Sequence, residues 1–392
     1  MERSSRGQVD AFIVMDMVAA ARALEAQGRS IIHMEVGQPG TMAPAGARDA
    51  VAQALAHNTL GYTVSRGLPE LRQGIAALYG RWYGVDLNPD RVIVTAGSSG
   101  AFVLAFSALF DAGARVGMGE PGYPSYRQIL KALSLKPVGI PTSAENRLQP
   151  TPACLQDIDI TGLIVASPGN PSGTMLSHPA LAALINHCEQ RDISFVSDEI
   201  YHGLHYETPA TSALQITDNA YVINSFSKYF SMTGWRVGWM VVPEAHIRTV
   251  ERLAQNLFIC PPHVAQIAAL AALDCDVELQ ANRATYATNR ALMMAGLVRA
   301  GFAKFAPPDG AFYIYADVSD LTDNSFQLAN DILHGAGVAV SPGLDFDPVM
   351  GHGTLRFSYA GPTADIVEGL RRLTVFMASY PVPQTRTIGA FR

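Results

Sequence analysis

The segment Ser225-Phe226-Ser227-Lys228 follows a strand-like run, Tyr221–Asn224, and puts an amine beside two hydroxyls at a strand end. Ligands of open parallel sheets bind outside the carboxyl ends of the strands, where an amine can form a Schiff base with a carbonyl group. A solvated surface lysine is the plain alternative. The choice is narrow, because the chain has four lysines: Lys131, Lys136, Lys228 and Lys304. A second segment, Ser197-Asp198-Glu199-Ile200-Tyr201, ends the run Ile193–Val196. On a turn, its three-residue spacing would let Asp198 and Tyr201 face one site, and a buried carboxylate there can hold a proton on a ring nitrogen. Asp198 could equally cap a turn. With His202 and His205 it could also begin a metal site, but no further ligand pair is evident and no metal is expected.

Two more segments share this placement. Ser167-Pro168-Gly169-Asn170-Pro171-Ser172-Gly173 follows the run Leu163–Ala166. A turn this rich in Pro, Gly and Asn is unremarkable by itself. Its position is informative, since Asn170, Asp198 and Lys228 would then share one sheet edge. Thr95-Ala96-Gly97-Ser98-Ser99-Gly100 joins a strand to a helix. Free N–H groups at a helix start, with serine hydroxyls beside them, suit a phosphate, although small residues also permit close strand–helix packing. Arg236 could add a cation to that phosphate or form a surface ion pair.

These segments need a scaffold, and the hydrophobic pattern supplies one. Strand-like runs at 91–95, 114–119, 136–140, 161–167, 193–198, 220–224 and 236–242 alternate with helical runs at 98–110, 123–133, 177–190, 244–258 and 262–275. This predicts an α/β chain whose large domain has a mostly parallel seven-stranded sheet flanked by helices. Earlier, a helix is expected from Asp10, as N-cap, to Gly28. A strand at 31–34 and helices at 44–57 and 68–84 follow. After residue 276 a long helix at 277–299, strands near 311–316, 338–340 and 353–358, and helices at 325–334 and 362–379 predict a smaller α+β domain. The expected division is an N-terminal arm (1–45) packing with the small domain, a large domain (46–285) and a small domain (286–392).

Composition narrows the class. Hydrophobic residues at 48% and charged residues at 16% exclude intrinsic disorder. A chain of 392 residues suggests two or three domains at about 150 residues each. Net charge of −6 without a basic block argues against a nucleic-acid partner. Cys154, Cys188, Cys260 and Cys275 form no CxxC pair, and MERSSRGQVD does not lead into a signal peptide, so a cytoplasmic location is expected. The uncharged stretch Val92–Phe110 is long enough to span a membrane, but Thr95–Gly100 divides it into a strand and a helix; no membrane partner is expected.

Taken together, the motifs resemble those of pyridoxal-phosphate-dependent aminotransferases of fold type I, class I/II, of the aspartate aminotransferase kind. The motifs are Asn170-Pro-Ser-Gly-Thr174, Asp198-Glu-Ile-Tyr201 and Ser225-Phe-Ser-Lys228 with Arg236-Val-Gly, within a likeness running from Glu35-Val-Gly37-Gln-Pro39 to Leu355-Arg356-Phe-Ser. The resemblance implies pyridoxal 5'-phosphate held by Lys228, with Asp198 at the pyridine nitrogen and Asn170 and Tyr201 at the ring hydroxyl. Ser98, Ser99, Ser225, Ser227 and Arg236 would hold the phosphate, and Tyr123 would stack on the ring. Arg356 and the Gly37 backbone, with Asn170 beside them, would take the substrate carboxylate. Tyr62 would reach the phosphate of a partner subunit in a homodimer with shared active sites. The implied activity moves an amino group from an L-amino acid to a 2-oxo acid, with Lys228, Asp198 and Tyr201 as the catalytic set. The alternatives are a carbon–sulfur β-lyase of the same fold and a cofactor-binding regulatory module without turnover.

Overall fold

A computed structural model describes residues 4–381. Its central layer is a seven-stranded sheet in the order β2-β8-β7-β6-β5-β3-β4. The chain reaches it through α1 (Ile13–Ala26), β1 (Ile32–His33), α2 (Ala45–His57) and α3 (Pro69–Tyr83). The sheet and its helices then follow as β2 (Val92–Thr95), α4 (Gly97–Leu109), β3 (Arg115–Glu120), α5 (Pro124–Ala132), β4 (Lys136–Pro141), β5 (Gly162–Ala166), α6 (His178–Glu189), β6 (Ser194–Asp198), β7 (Tyr221–Ser225) and β8 (Gly238–Val241). All neighbours pair in parallel except β8, which runs antiparallel to both β2 and β7. The strands β2, β7 and β8 are buried along their whole length, as continuous rather than alternating apolar runs require when both faces are covered. Proline at the first position of α3 and α5, and at the second of α6, lacks an N–H that a helix start cannot satisfy internally. Gly84, left-handed at φ +68°, ends α3 where a side chain would be strained.

Helices α7 (Ile247–Leu257), α8 (His263–Ala272) and α9 (Asp276–Arg299) lead to a second sheet. Its elements are β9 (Lys304–Phe305), β10 (Tyr313–Asp317), α10 (Ser325–Ala336), β11 (Val338–Ala339), β12 (Ser341–Pro342), β13 (Thr354–Ser358) and α11 (Thr363–Met377). Four of these strands form an antiparallel sheet ordered β12-β13-β10-β9, while β1 and β11 pair in parallel. The short strands β9 and β12 were not expected, because two residues carry no period. The run expected as one helix at 244–258 begins as a 3-10 turn, and α7 starts only at Ile247. The boundary expected at residue 285 lies inside the continuous helix α9.

The start of α1 differs from the sequence expectation. The helix begins at Ile13, and Phe12 stands at the cap position without a side-chain bond. Asp10 instead bonds Lys131 and Gln128 of α5. The cap comes from Asp345, whose two carboxylate oxygens accept from the backbone N–H groups of Ile13 and Val14 at 2.9 and 2.6 Å. Among the described residues no helix is long and apolar enough to cross a membrane.

Candidate active site

At the carboxyl edge of the parallel strands lies a cavity of about 250 Å³. Each strand end delivers one part of its wall. The turn after β2 contributes Ser98 and Ser99, and the turn after β3 contributes Tyr123. Asn170 follows β5, while β6 ends in Asp198 with Tyr201 just beyond. Ser227 and Lys228 follow β7, and Arg236 precedes β8. Gly37 and Arg356 close the opposite side. Eleven of the residues singled out in the sequence are therefore brought together.

Two are not on this wall. Ser225 is buried, with its Oγ 2.8 Å from Ser227 Oγ and 3.2 Å from the Val237 carbonyl, so it braces Ser227 from behind. Tyr62 is 83% exposed and lies outside the cavity.

The charged groups are held tightly. Asp198 accepts from the Tyr126 hydroxyl at Oδ2 and from the Ile200 N–H at Oδ1, 3.0 Å away. Burial pushes its carboxyl up to about 6 despite these bonds. Lys228 Nζ donates to the Gly37 carbonyl at 2.6 Å. Burial, then the positive charges of Arg356 and Arg236, pull its amine down to about 8. Such an amine is neutral for a useful fraction of the time near pH 7, as a nucleophile or base requires.

Arg356 is 2% exposed and donates to Asn170 Oδ1 at 2.9 Å, to Ser341 Oγ at 3.2 Å and to the Glu35 carbonyl. The rings of Tyr313 and Phe346 lie 4.4 and 4.6 Å from its guanidinium carbon. Its buried Nε has no partner among the described residues, which leaves a donor for a carboxylate. Tyr313 also donates to or accepts from Tyr201, hydroxyl to hydroxyl, at 2.8 Å. A Cβ at position 37 would stand 1.8 Å from the Tyr313 oxygen, so only glycine lets the two approach.

The phosphate-like end is equally specific. Ala96 offers α4 no side-chain cap, so the first N–H groups of the helix stay available beside Ser98 and Ser99. Gly97 is left-handed at φ +68°, and a Cβ there would lie 2.4 Å from Arg236 Nη2. The guanidinium is thus folded across the helix start, where a bound dianion would complete it.

The metal grouping does not form. His202 has its Nδ1 2.6 Å from the Tyr83 hydroxyl and its Nε2 2.8 Å from the Ser167 carbonyl. Among the described residues no three His, Cys, Asp or Glu side chains converge on one point. Sequence reasoning missed Tyr126, Tyr313, Phe346 and Asp345. Tyr126 alone carried a signal, three residues beyond Tyr123 within the segment Pro121-Gly-Tyr-Pro-Ser-Tyr126.

Residues 29–373 match the family of class I and II aminotransferases. The chain belongs to this family. It is 48% identical to the valine–pyruvate aminotransferase of Mycobacterium tuberculosis, over 95% of this chain and 98% of the relative. A crystal structure of an aminotransferase from Mycobacterium tuberculosis superposes with a TM-score of 0.95 at 47% identity, covering 97% of this chain and all of that one. The aspartate aminotransferase of Thermus thermophilus with maleate gives a TM-score of 0.90 at 30% identity, over 96% and 100% of the two chains. The aminotransferase described here moves an amino group between amino and oxo acids and uses pyridoxal 5'-phosphate. The uncapped start of α4 with Arg236 across it, the buried carboxylate and the half-buried amine fit that cofactor's phosphate, ring nitrogen and carbonyl.

Proposed function

We propose that this cavity is the aminotransferase's active site and that Lys228, Asp198 and Tyr201 are its catalytic residues. The observation that carries the reading is the convergence of the half-buried Lys228 amine, the buried Asp198 carboxylate and the uncapped α4 N-terminus around one cavity. The chemistry supplied by the bound cofactor is a carbonyl that links to amines and a ring that takes up the electron pair of a broken Cα–H bond. Lys228 would hold the cofactor at its carbonyl, and its amine, when free, would take the proton from the substrate Cα. Its Nζ is 5.9 Å from the Tyr201 ring centre and close enough to Arg356 to feel its charge. Asp198, fixed by Tyr126 and Ile200, keeps a proton on the ring nitrogen. Asn170 and Tyr201 orient the ring hydroxyl. Ser98, Ser99, Ser227 and Arg236 hold the phosphate, with Ser225 bracing Ser227. Tyr123 covers the ring face. Arg356 grips the substrate carboxylate beside Gly37 and aligns the Cα–H bond.

We read the active form as a homodimer whose partner subunit receives Tyr62 at its phosphate. Support comes from Tyr62 itself and from the exposed apolar side chains of Met42, Leu55, Val64, Phe258 and Ile259. The chain is read as an arm (1–45), a large domain (46–285) and a small domain (286–392), with α9 as the connection. The β1–β11 pairing supports placing the arm with the small domain. The four cysteines are free, which supports a cytoplasmic location.

The test is a half-reaction. Mixing the holoenzyme with an amino donor and no acceptor should convert the bound aldehyde form to the amine form, and a 2-oxo acid should reverse the change. Lys228→Ala should abolish both. Pyruvate and ammonia from thioether substrates, with no nitrogen exchange, would instead support the β-lyase.

A further inference from the structure

The cavity has one wall that the roles above leave unused. Phe12, Val14 and Met15, at the start of α1, line it opposite the strand ends. This segment is strapped at both ends. On one side Asp10 bonds Lys131 and Gln128 of α5, which flanks the large sheet. On the other, the buried carboxylate of Asp345 grips the N–H groups of Ile13 and Val14. The next residue, Phe346, packs with Val14 and Tyr315 and covers the guanidinium of Arg356. Its carbonyl accepts from the Gly122 N–H at 2.9 Å, beside Tyr123. One short loop therefore fixes both the carboxylate clamp and the apolar wall.

No second cation faces that wall among the described residues. Arg22, Arg29, Arg66 and Arg127 bond Glu25, the His334 carbonyl, Asp90 and Glu120 respectively, and none lines the cavity. A carboxylate side chain entering there would lose its hydration against Phe12, Val14 and Met15 with no compensating charge. An apolar side chain would gain by burial.

We propose that Asp345 is a specificity-positioning residue, holding Phe12, Val14 and Met15 as the surface that selects amino acids with uncharged, apolar side chains of several carbons. The proposal rests on the active-site reading above. Its experiment measures half-reaction rate and apparent Kd on the holoenzyme with L-norvaline, L-alanine and L-aspartate. The wild type should favour norvaline over both others by about tenfold or more. Asp345→Ala frees the helix start, and the norvaline-to-alanine ratio should fall about tenfold. Loss of folded protein would lower both substrates alike and leave that ratio unmoved. Met15 is 53% exposed, so Met15→Asp should fold normally and depress the same ratio by placing a charge on the wall. A wild-type preference for aspartate, or an unchanged ratio in both variants, overturns the proposal. If none of the three donors converts the wild-type cofactor, the active-site reading itself fails.

Discussion

Gly97→Ala tests the phosphate cradle at its tightest point. The residue opens α4 with φ +68°, a region that costs an L side chain roughly 1–2 kcal/mol. The added methyl would also lie 2.4 Å from Nη2, 2.9 Å from Cζ and 3.3 Å from Nη1 of Arg236. That guanidinium is the far end of a flexible chain, tethered by one bond from Nη1 to the Thr233 carbonyl at 2.9 Å, so it can swing away. Swinging away would remove the proposed charge-assisted contact to the phosphate, about 1.5–3 kcal/mol, which corresponds to about a ten- to hundredfold weaker cofactor Kd. The expected pattern is a modest drop in melting temperature of the apoprotein and a larger loss of cofactor affinity. Absorbance titration with pyridoxal phosphate reads the second, and thermal unfolding the first. Gly100→Ala, within the same helix, is the control. Its Cβ would meet Ala96 and Thr95 at an ordinary 3.7 Å, and replacing a helical glycine should stabilise by up to about 1 kcal/mol. Wild-type cofactor affinity in Gly97→Ala, or an equal loss in Gly100→Ala, would refute the cradle.

Asp198→Asn should keep the Ile200 contact and the bound cofactor but slow Cα–H exchange at least about a hundredfold, because a neutral amide cannot hold the ring proton; near-normal exchange in deuterated water would reject the role. His33 lies 2.8 Å from the buried Glu35 and 3.1 Å from Glu25, and these carboxylates raise its imidazole to about 9. A cation favoured in the folded state contributes stability fully below pH 6.5 and loses it as pH rises through 9. His33→Gln should therefore cost about 1–2 kcal/mol at pH 6 and close to nothing at pH 10, measured by denaturant unfolding. The chain should sediment as a dimer, and Tyr62→Phe should weaken cofactor binding about tenfold without dissociating it; a fully active monomer would contradict the shared site.

Much of the candidate site was legible because its parts are local. Asn170, Asp198 and Lys228 each sit just past an apolar strand run, and parallel pairing of β5, β6 and β7 necessarily puts such ends on one edge. The serines at the start of α4 and the glycine before them are local in the same way. Less legible was whatever depends on residues distant in the chain. The Tyr126–Asp198 bond and the Tyr201–Tyr313 bond join residues far apart in the chain, and Tyr313 does not differ in sequence from an ordinary core aromatic.

By itself, the sequence determined the α/β scaffold and the order of the motifs along it, which follow from hydrophobic period and from residues a few positions apart; the cofactor was implied by the resemblance those motifs carry. The tertiary structure alone decided the electrostatics and the outer wall. Lys228 is brought down to about 8 because folding buries it and sets Arg356 and Arg236 near it. Asp10 was the expected cap of α1, yet the cap is Asp345, 332 residues from the N–H it accepts. A helix start takes whichever carboxylate packing brings to it, and burial makes that choice without any local signal.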